Sequence, residues 1–304
     1  MDVLVNLDKP EGMTSSDVVQ EVKGLLNVKK AGHCGTLDPL ATGVLLICTG
    51  HATVLADYFA LMTKEYVVTL KLGVRTDSFD RCGKIIEERD SAFVTREMFA
   101  LALENFTGEI VQKPPMYSAI KVSGVALYKM ARKGMEVDRK DRVVRIYNNV
   151  VERFEYPWVT LRVSCSKGTY VRALVNDIGE CLGTCATVWA LRRTAVGSYR
   201  VDGAATFGSL SIDGVGGGHG IITMDDALTQ MPVLVVDDES AWRLVNGQVV
   251  SLNGAAFEGS GDFRIKGPDG VLVGIGLYKE GGIKIQTLLI NRDKYLKHLF
   301  KKNC

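Results

Sequence analysis

A twelve-residue loop, Gly32-His33-Cys34-Gly35-Thr36-Leu37-Asp38-Pro39-Leu40-Ala41-Thr42-Gly43, limits how this 304-residue chain folds. Its three glycines and one proline break any regular element and call for unusual backbone angles. Pro39 fixes its own φ and biases Asp38 toward an extended conformation, so the carboxylate is held rather than left to swing. The apolar run Val44-Leu45-Leu46-Ile47-Cys48 follows directly and reads as a buried strand. A rigid polar loop tied to a core strand is a common mount for a functional group. An Asp-Pro pair is equally compatible with a plain Asx turn, in which Asp38 only caps its own backbone.

The rest of the chain mixes helices and strands without strict alternation. Ser15 or Ser16 is placed to cap a helix over Asp17 to Leu26, with Val18, Val19, Val22, Leu25 and Leu26 at helical spacing. Thr53 to Leu61 reads as a short helix. Tyr66 to Leu72 alternates and predicts a strand, followed by a polar turn from Thr76 to Gly83 and a strand starting at Lys84-Ile85-Ile86. Helices are expected over Thr95 to Phe106, Leu127 to Lys133 and Tyr170 to Cys181, and strands over Val143 to Phe154 and Val159 to Cys165. This order predicts an α+β fold with a largely antiparallel sheet.

The glycine-rich segment Asp213 to Gly220 lacks the Lys-Ser/Thr that a phosphate cradle needs and reads as a linker. Beyond it, short strand-like runs such as Val233-Leu234-Val235-Val236, Phe263-Arg264-Ile265 and Val271 to Tyr278 are separated by turn residues. They predict a small C-terminal β-barrel.

Composition excludes several classes. No apolar run approaches the roughly 20 residues of a membrane helix, and the N-terminus lacks a signal peptide's pattern, so a cytoplasmic protein is expected. Seven scattered cysteines and four unclustered histidines argue against a disulfide framework or a metal centre. The net charge of +2 is unremarkable, but eight basic residues face three acidic ones between Lys121 and Arg145. Such an imbalance fits either a polyanion track or an ordinary solvated face.

Several blocks, in order, carry a resemblance. They are Asp8-Lys9-Pro10-Glu11-Gly12-Met13-Thr14-Ser15, the Asp38 loop, Lys64-Glu65-Tyr66 and Gly73 to Asp80. Pro114 to Lys121 with Leu127-Tyr128, Cys165 to Arg172, and Leu191-Arg192-Arg193-Thr194 complete the set. Together they are similar to the signature of the TruB family of tRNA pseudouridine-55 synthases, over about the first two-thirds of the chain. Cys34 departs from the pattern, where Thr is frequent, and reads as a tolerated small residue.

The resemblance implies a pseudouridine synthase catalytic domain over residues 1–228 and a PUA-like RNA-binding barrel over 229–304. It implies isomerisation of the T-loop uridine of tRNA after base flipping, with no cofactor and no metal. Asp38 takes the role of the reacting carboxylate. Attack at C1′, attack at C6 and removal of a sugar proton all stay open. Arg172 would keep Asp38 ionised through a bidentate pair. Tyr66 and Tyr170 would stack on or pack near the flipped uracil. Leu191 would line the pocket, His33 would contact the RNA loop, and Lys64 and Lys167 would hold phosphates. Asp77 and Asp80 would belong to a structural turn beside the site, with a minor ordering role left open for Asp80. Leu40 after Pro39, where the archaeal and eukaryotic branch usually has Lys, implies action without guide RNA, and a monomer is expected. A glycosidase-like hydrolase and a non-catalytic RNA-binding or tRNA-folding protein are the competing readings.

Overall fold

The computed structural model describes residues 1–122, 124–131, 133–210, 220–251, 261–279 and 281–302, with side chains as far as residue 297. The expected linker Asp213 to Gly220, except for Gly220 itself, and Arg132 of the basic run lie outside the described residues.

A ten-stranded mixed sheet forms the centre. Its strands run in the order Ile221–Thr223, Val3–Lys9, Thr42–Thr49, Ala186–Val196, Lys64–Leu72, Trp158–Cys165, Arg142–Glu155 and Gly108–Gln112. All neighbours are antiparallel except Thr42–Thr49 with Ala186–Val196. Two short strands, Ala31–His33 and Tyr199–Arg200, pair onto this path. The α+β expectation matches this architecture.

The alternation in Lys64–Leu72 explains the layering. Tyr66, Val68, Leu70 and Leu72 are buried, while Glu65, Val67, Thr69 and Lys71 keep partial exposure. The buried row joins Leu161 and Val163 from the next strand in one apolar cluster. Three helices cover that face: Ser15–Leu25 through Val18, Val19 and Val22; Arg96–Glu104 through Phe99; and Val171–Cys181 through Leu174, Val175 and Ile178. Burying side chains of this size contributes about 1.5–3 kcal/mol each. On the opposite face Lys71 lies 5.7 Å from the ring centres of both Trp158 and Trp189.

Two expectations need correction near the N-terminus. The cap of the first helix is Thr14, not Ser15 or Ser16: its hydroxyl accepts from Asp17 N, and the Asp17 carboxylate accepts from Thr14 N at 2.9 Å. Ser15 is turned inward, where its hydroxyl accepts from Leu37 N at 2.8 Å. The expected helix at Thr53 to Leu61 is a 3-10 turn, Gly50–Leu55, running into a helix, Ala56–Leu61.

The C-terminal part also differs from expectation. Its described strands form one open five-stranded sheet, a half-barrel, with Val233–Val235 parallel to Phe263–Lys266. Helices Asp238–Val245 and Arg292–Lys302 accompany it. Asp225 ties this part to the core, reaching Arg264 at 2.7 Å and Lys266 at 2.5 Å. Leu272, Ile275 and Leu289 pack with Leu4, Leu46 and Phe59.

Candidate active site

Three separate elements converge at the end of the central strands. The Asp38 loop arrives between Ala31–His33 and Thr42–Thr49, and is pinned from behind by Ser15. Lys9 completes this fixation. Its ammonium, fully buried, donates to Pro10 O at 2.8 Å, Pro39 O at 3.3 Å and Ala41 O at 2.7 Å. Burial is the main cause that lowers Lys9 to about 8, with the Asp38 charge opposing it.

Arg172 enters from the first turn of Val171–Cys181, just after Gly168, whose φ is +80°. Gln112 fixes this helix start, accepting from Tyr170 N at 3.0 Å. The Arg172 fork meets Asp38 edge to edge: Nε donates to Oδ2 at 2.8 Å and Nη2 to Oδ1 at 2.9 Å. Its other donors reach Ser78 O at 2.9 Å and Tyr117 O at 2.7 Å. Asp80 stands 3.6 Å from Nη1 and itself accepts from Ser78 Oγ at 2.7 Å and Cys82 N at 3.0 Å. The arginine is buried while the Asp38 carboxylate stays about one-third exposed (4% against 32%) and so remains reachable from the cavity.

That cavity measures about 250 Å³ and is lined by Asp38, Lys64, Tyr66, Ser118, Tyr170, Arg172, Leu191 and Arg193, among others. It lies below the roughly 300–1,000 Å³ of pockets for drug-sized ligands. Tyr66 and Leu191 are buried and Tyr170 half-buried. Burial raises the phenols of Tyr66 and Tyr170 above their ordinary value.

The other expected residues fall on the periphery or the wall. Lys167 is exposed at the turn before Gly168. His33 is half-buried, its Nδ1 has no hydrogen-bond partner among the described residues, and burial, then Arg193, hold it below its ordinary value. Lys64 departs from the expected phosphate contact. It begins the strand at an inward position, is buried, and donates to Ala60 O and Met62 O at 2.5 Å each. Burial, reinforced by Arg193, lowers it to about 8. Lys9 and Arg193, both inside matching blocks, had no expected role of their own. The period-two register carried a signal for both, since Lys9 continues the inward row Val3, Val5, Leu7, and Arg193 continues the row from Leu191.

This arrangement is a fixed carboxylate beside an aromatic-walled slot, with an unusual density of buried cations. A family model described as the TruB family pseudouridylate synthase N-terminal domain matches residues 23–171. A model of the tRNA pseudouridylate synthase B C-terminal domain matches residues 172–212. The chain belongs to the TruB family. It is 39% identical to a tRNA pseudouridine synthase B of Clostridium kluyveri, over 95% of this chain and 100% of that protein. It is also 39% identical to one of Vibrio vulnificus, over 97% of each chain. Among solved structures, a chain of an H/ACA RNP bound to a substrate RNA containing 2′-deoxyuridine superposes with a TM-score of 0.71. The identity is 25%, and the match covers 96% of this chain and 86% of that one. The pseudouridine synthase fold is thereby shown.

Proposed function

We propose that this chain is a tRNA pseudouridine synthase that isomerises the T-loop uridine, position 55, after flipping it into the Asp38 cavity. One observation supports this above the others. Asp38 is the cavity's carboxylate, and Arg172 grips both of its oxygens while leaving it open to the slot. A glycosidase needs a second carboxyl across the scissile bond. Asp80, the other acid near Arg172, is buried and committed to Ser78 and Cys82.

The reaction breaks N1–C1′, turns the base, joins C5 to C1′, and moves a proton from C5 to N1. No atom is gained or lost, so no redox or group-carrying cofactor is needed. Asp38 acts on the sugar or base as the bond breaks. Tyr66 and Leu191 hold the uracil plane, and Tyr170 closes the slot from the helix start. His33 meets the RNA loop beside the flipped nucleotide. Lys167 reaches phosphates from outside, and Lys64 supplies positive charge from the wall.

The basic segment contributes the track toward the slot. Tyr117 and Ser118 lie just before it and form the arginine's ceiling and the cavity's edge, and Lys121, Lys129, Lys133, Lys140, Arg142 and Arg145 follow, all exposed. We assign residues 1–228 to the catalytic domain and 229–304 to a PUA-like RNA-binding unit. The enzyme works as a cytoplasmic monomer without guide RNA. Among the described residues, no helix is long and apolar enough to cross a membrane.

The test is a position-resolved pseudouridine map of an unmodified tRNA transcript incubated with the purified protein alone. Conversion confined to the T-loop uridine is expected. Conversion at another position would reassign the substrate site, and dependence on added guide RNA would overturn the guide-free reading.

A further inference from the structure

Arg193 is among the largest fully buried side chains in the molecule, 2% exposed, yet it lines the cavity. Among the described residues no carboxylate pairs with it; all the ion pairs found involve other cations. Its donors go to backbone instead. Nε donates to Val44 O at 2.7 Å and Nη2 to Gly35 O at 3.1 Å. Those two carbonyls stand at the two ends of the segment that carries Asp38.

The strand register brings a second group to the same guanidinium. Arg193 is the direct cross-strand partner of Tyr66 and, on its other side, of Gly43. As direct cross-strand partners the two side chains lie next to each other on one face of the sheet, and the Arg193 charge opposes the effect of burial on the Tyr66 phenol. Contacts of this kind tighten when substrate fills a site. The close approach also explains Gly43. A Cβ there would stand 2.1 Å from the Arg193 carbonyl oxygen, and its φ is +100°.

We infer that Arg193 is a positioning residue for the isomerisation: one guanidinium clamps both ends of the Asp38 loop and faces the Tyr66 hydroxyl, fixing the carboxylate and the uracil-holding ring relative to each other. Only a planar fork with several donors reaches two loop carbonyls in different directions and still has donors to spare beside Tyr66; an ammonium is a single point. The inference rests on Asp38 and Tyr66 being the working groups of the site.

The experiment compares wild type, Asp38→Asn, Tyr66→Phe, Arg193→Lys and the double variant Tyr66→Phe/Arg193→Lys. Single-turnover rate, affinity for a T-stem-loop RNA and thermal melting are measured for each. Arg193→Lys is expected to lose roughly 100-fold in rate, the scale of an ångström-sized misplacement, with RNA affinity within about threefold of wild type. The loss from Arg193→Lys is expected to shrink clearly in the Tyr66→Phe background. Wild-type rates in Arg193→Lys, or equal losses in both backgrounds, would overturn the inference. Activity surviving in Asp38→Asn would instead remove the reading of the site on which it rests.

Should Arg193→Lys fail to fold, ¹⁵N-arginine spectra of wild type and Tyr66→Phe decide. A guanidinium Nε–H protected from exchange and shifted by Tyr66→Phe is expected. No guanidinium signal responding to that substitution would contradict the clamp.

Discussion

Arg172 and Asp38 meet as a two-point fork, at 2.8 and 2.9 Å, with the arginine buried and the carboxylate open to the cavity. The pair is asymmetric by design of the loop and helix that carry it. The arginine is held by carbonyls of Ser78 and Tyr117 as well, so it is the fixed member and Asp38 is oriented by it. Arg172→Lys keeps the charge but has one point of contact where the fork has two. The expected outcome is a rate loss of roughly 100-fold or more and a stability loss of about 2–4 kcal/mol, toward the range for breaking a buried pair. Single-turnover kinetics and urea denaturation check both. A variant with near-wild-type rate would show that Asp38 does not depend on the fork.

A pH experiment separates catalysis from folding. Lys9 and Lys64 are each lowered from 10.5 to about 8, chiefly by burial. Below about pH 8 both are charged in folded and unfolded chains, and folding bears the full cost of burying the charges. Between about 8 and 10.5 the unfolded chain retains the protons and the folded chain does not, so stability from these two groups rises with pH. Catalysis runs the other way, because a neutral Lys9 loses one of the three N–H donors that hold the loop carbonyls around Asp38. The expected kcat profile falls on the alkaline side with a midpoint near 8, with no matching fall in the urea midpoint. A flat profile between pH 7 and 9 would contradict the role given to Lys9.

Asp177 offers a stability change that leaves the site alone. It lies on the Val171–Cys181 helix outside the cavity lining, and burial pushes it up to about 6. Below the ordinary carboxylate value both states are protonated and the group is neutral to folding. As pH rises to 6 the unfolded chain ionises first, a penalty builds, and above 6 it is constant. Asp177→Asn is therefore expected to stabilise the protein at pH 7 by on the order of 1–2 kcal/mol. Thermal melts at pH 7 and pH 4 check it: the gain is expected at the higher pH and absent at the lower, with kcat unchanged at both.

How much of this was legible in the sequence depended on regularity. Tyr66 to Leu72 alternates without a break and was readable as a strand, which the structure extends back to Lys64. Ala186–Val196 was not, because register shifts at Val188/Ala190 and Arg193/Ala195 interrupt its alternation. The same irregularity hid Arg193, whose inward position follows only from counting two residues on from Leu191. Asp237-Asp238-Glu239 reads as an acidic run; in the structure Asp237 caps a helix, its Oδ1 accepting from Ser240 N at 2.7 Å. The fork between Asp38 and Arg172 spans 134 positions of sequence. Local pattern does not reach that far, and the pairing was inferred from the resemblance and from the carboxylate's need for a cation.

RNA binding is expected to be salt-dependent. If the exposed basic residues from Lys121 to Arg145 and Lys167 neutralise about three to five phosphates, log affinity falls against log salt with a slope of about −2 to −4. Titrations of a T-stem-loop RNA between low and physiological salt measure it. A slope near zero would place the binding energy elsewhere than the basic track.

The most direct measurement compares wild type with Asp38→Asn on an unmodified tRNA transcript, reading both pseudouridine at the T-loop position and binding of the RNA. The substitution keeps the shape and removes the charge that Arg172 orients. Conversion by wild type alone, with the variant still binding, is the expected result. Conversion by both proteins would contradict the central claim that the Asp38 carboxylate carries the reaction.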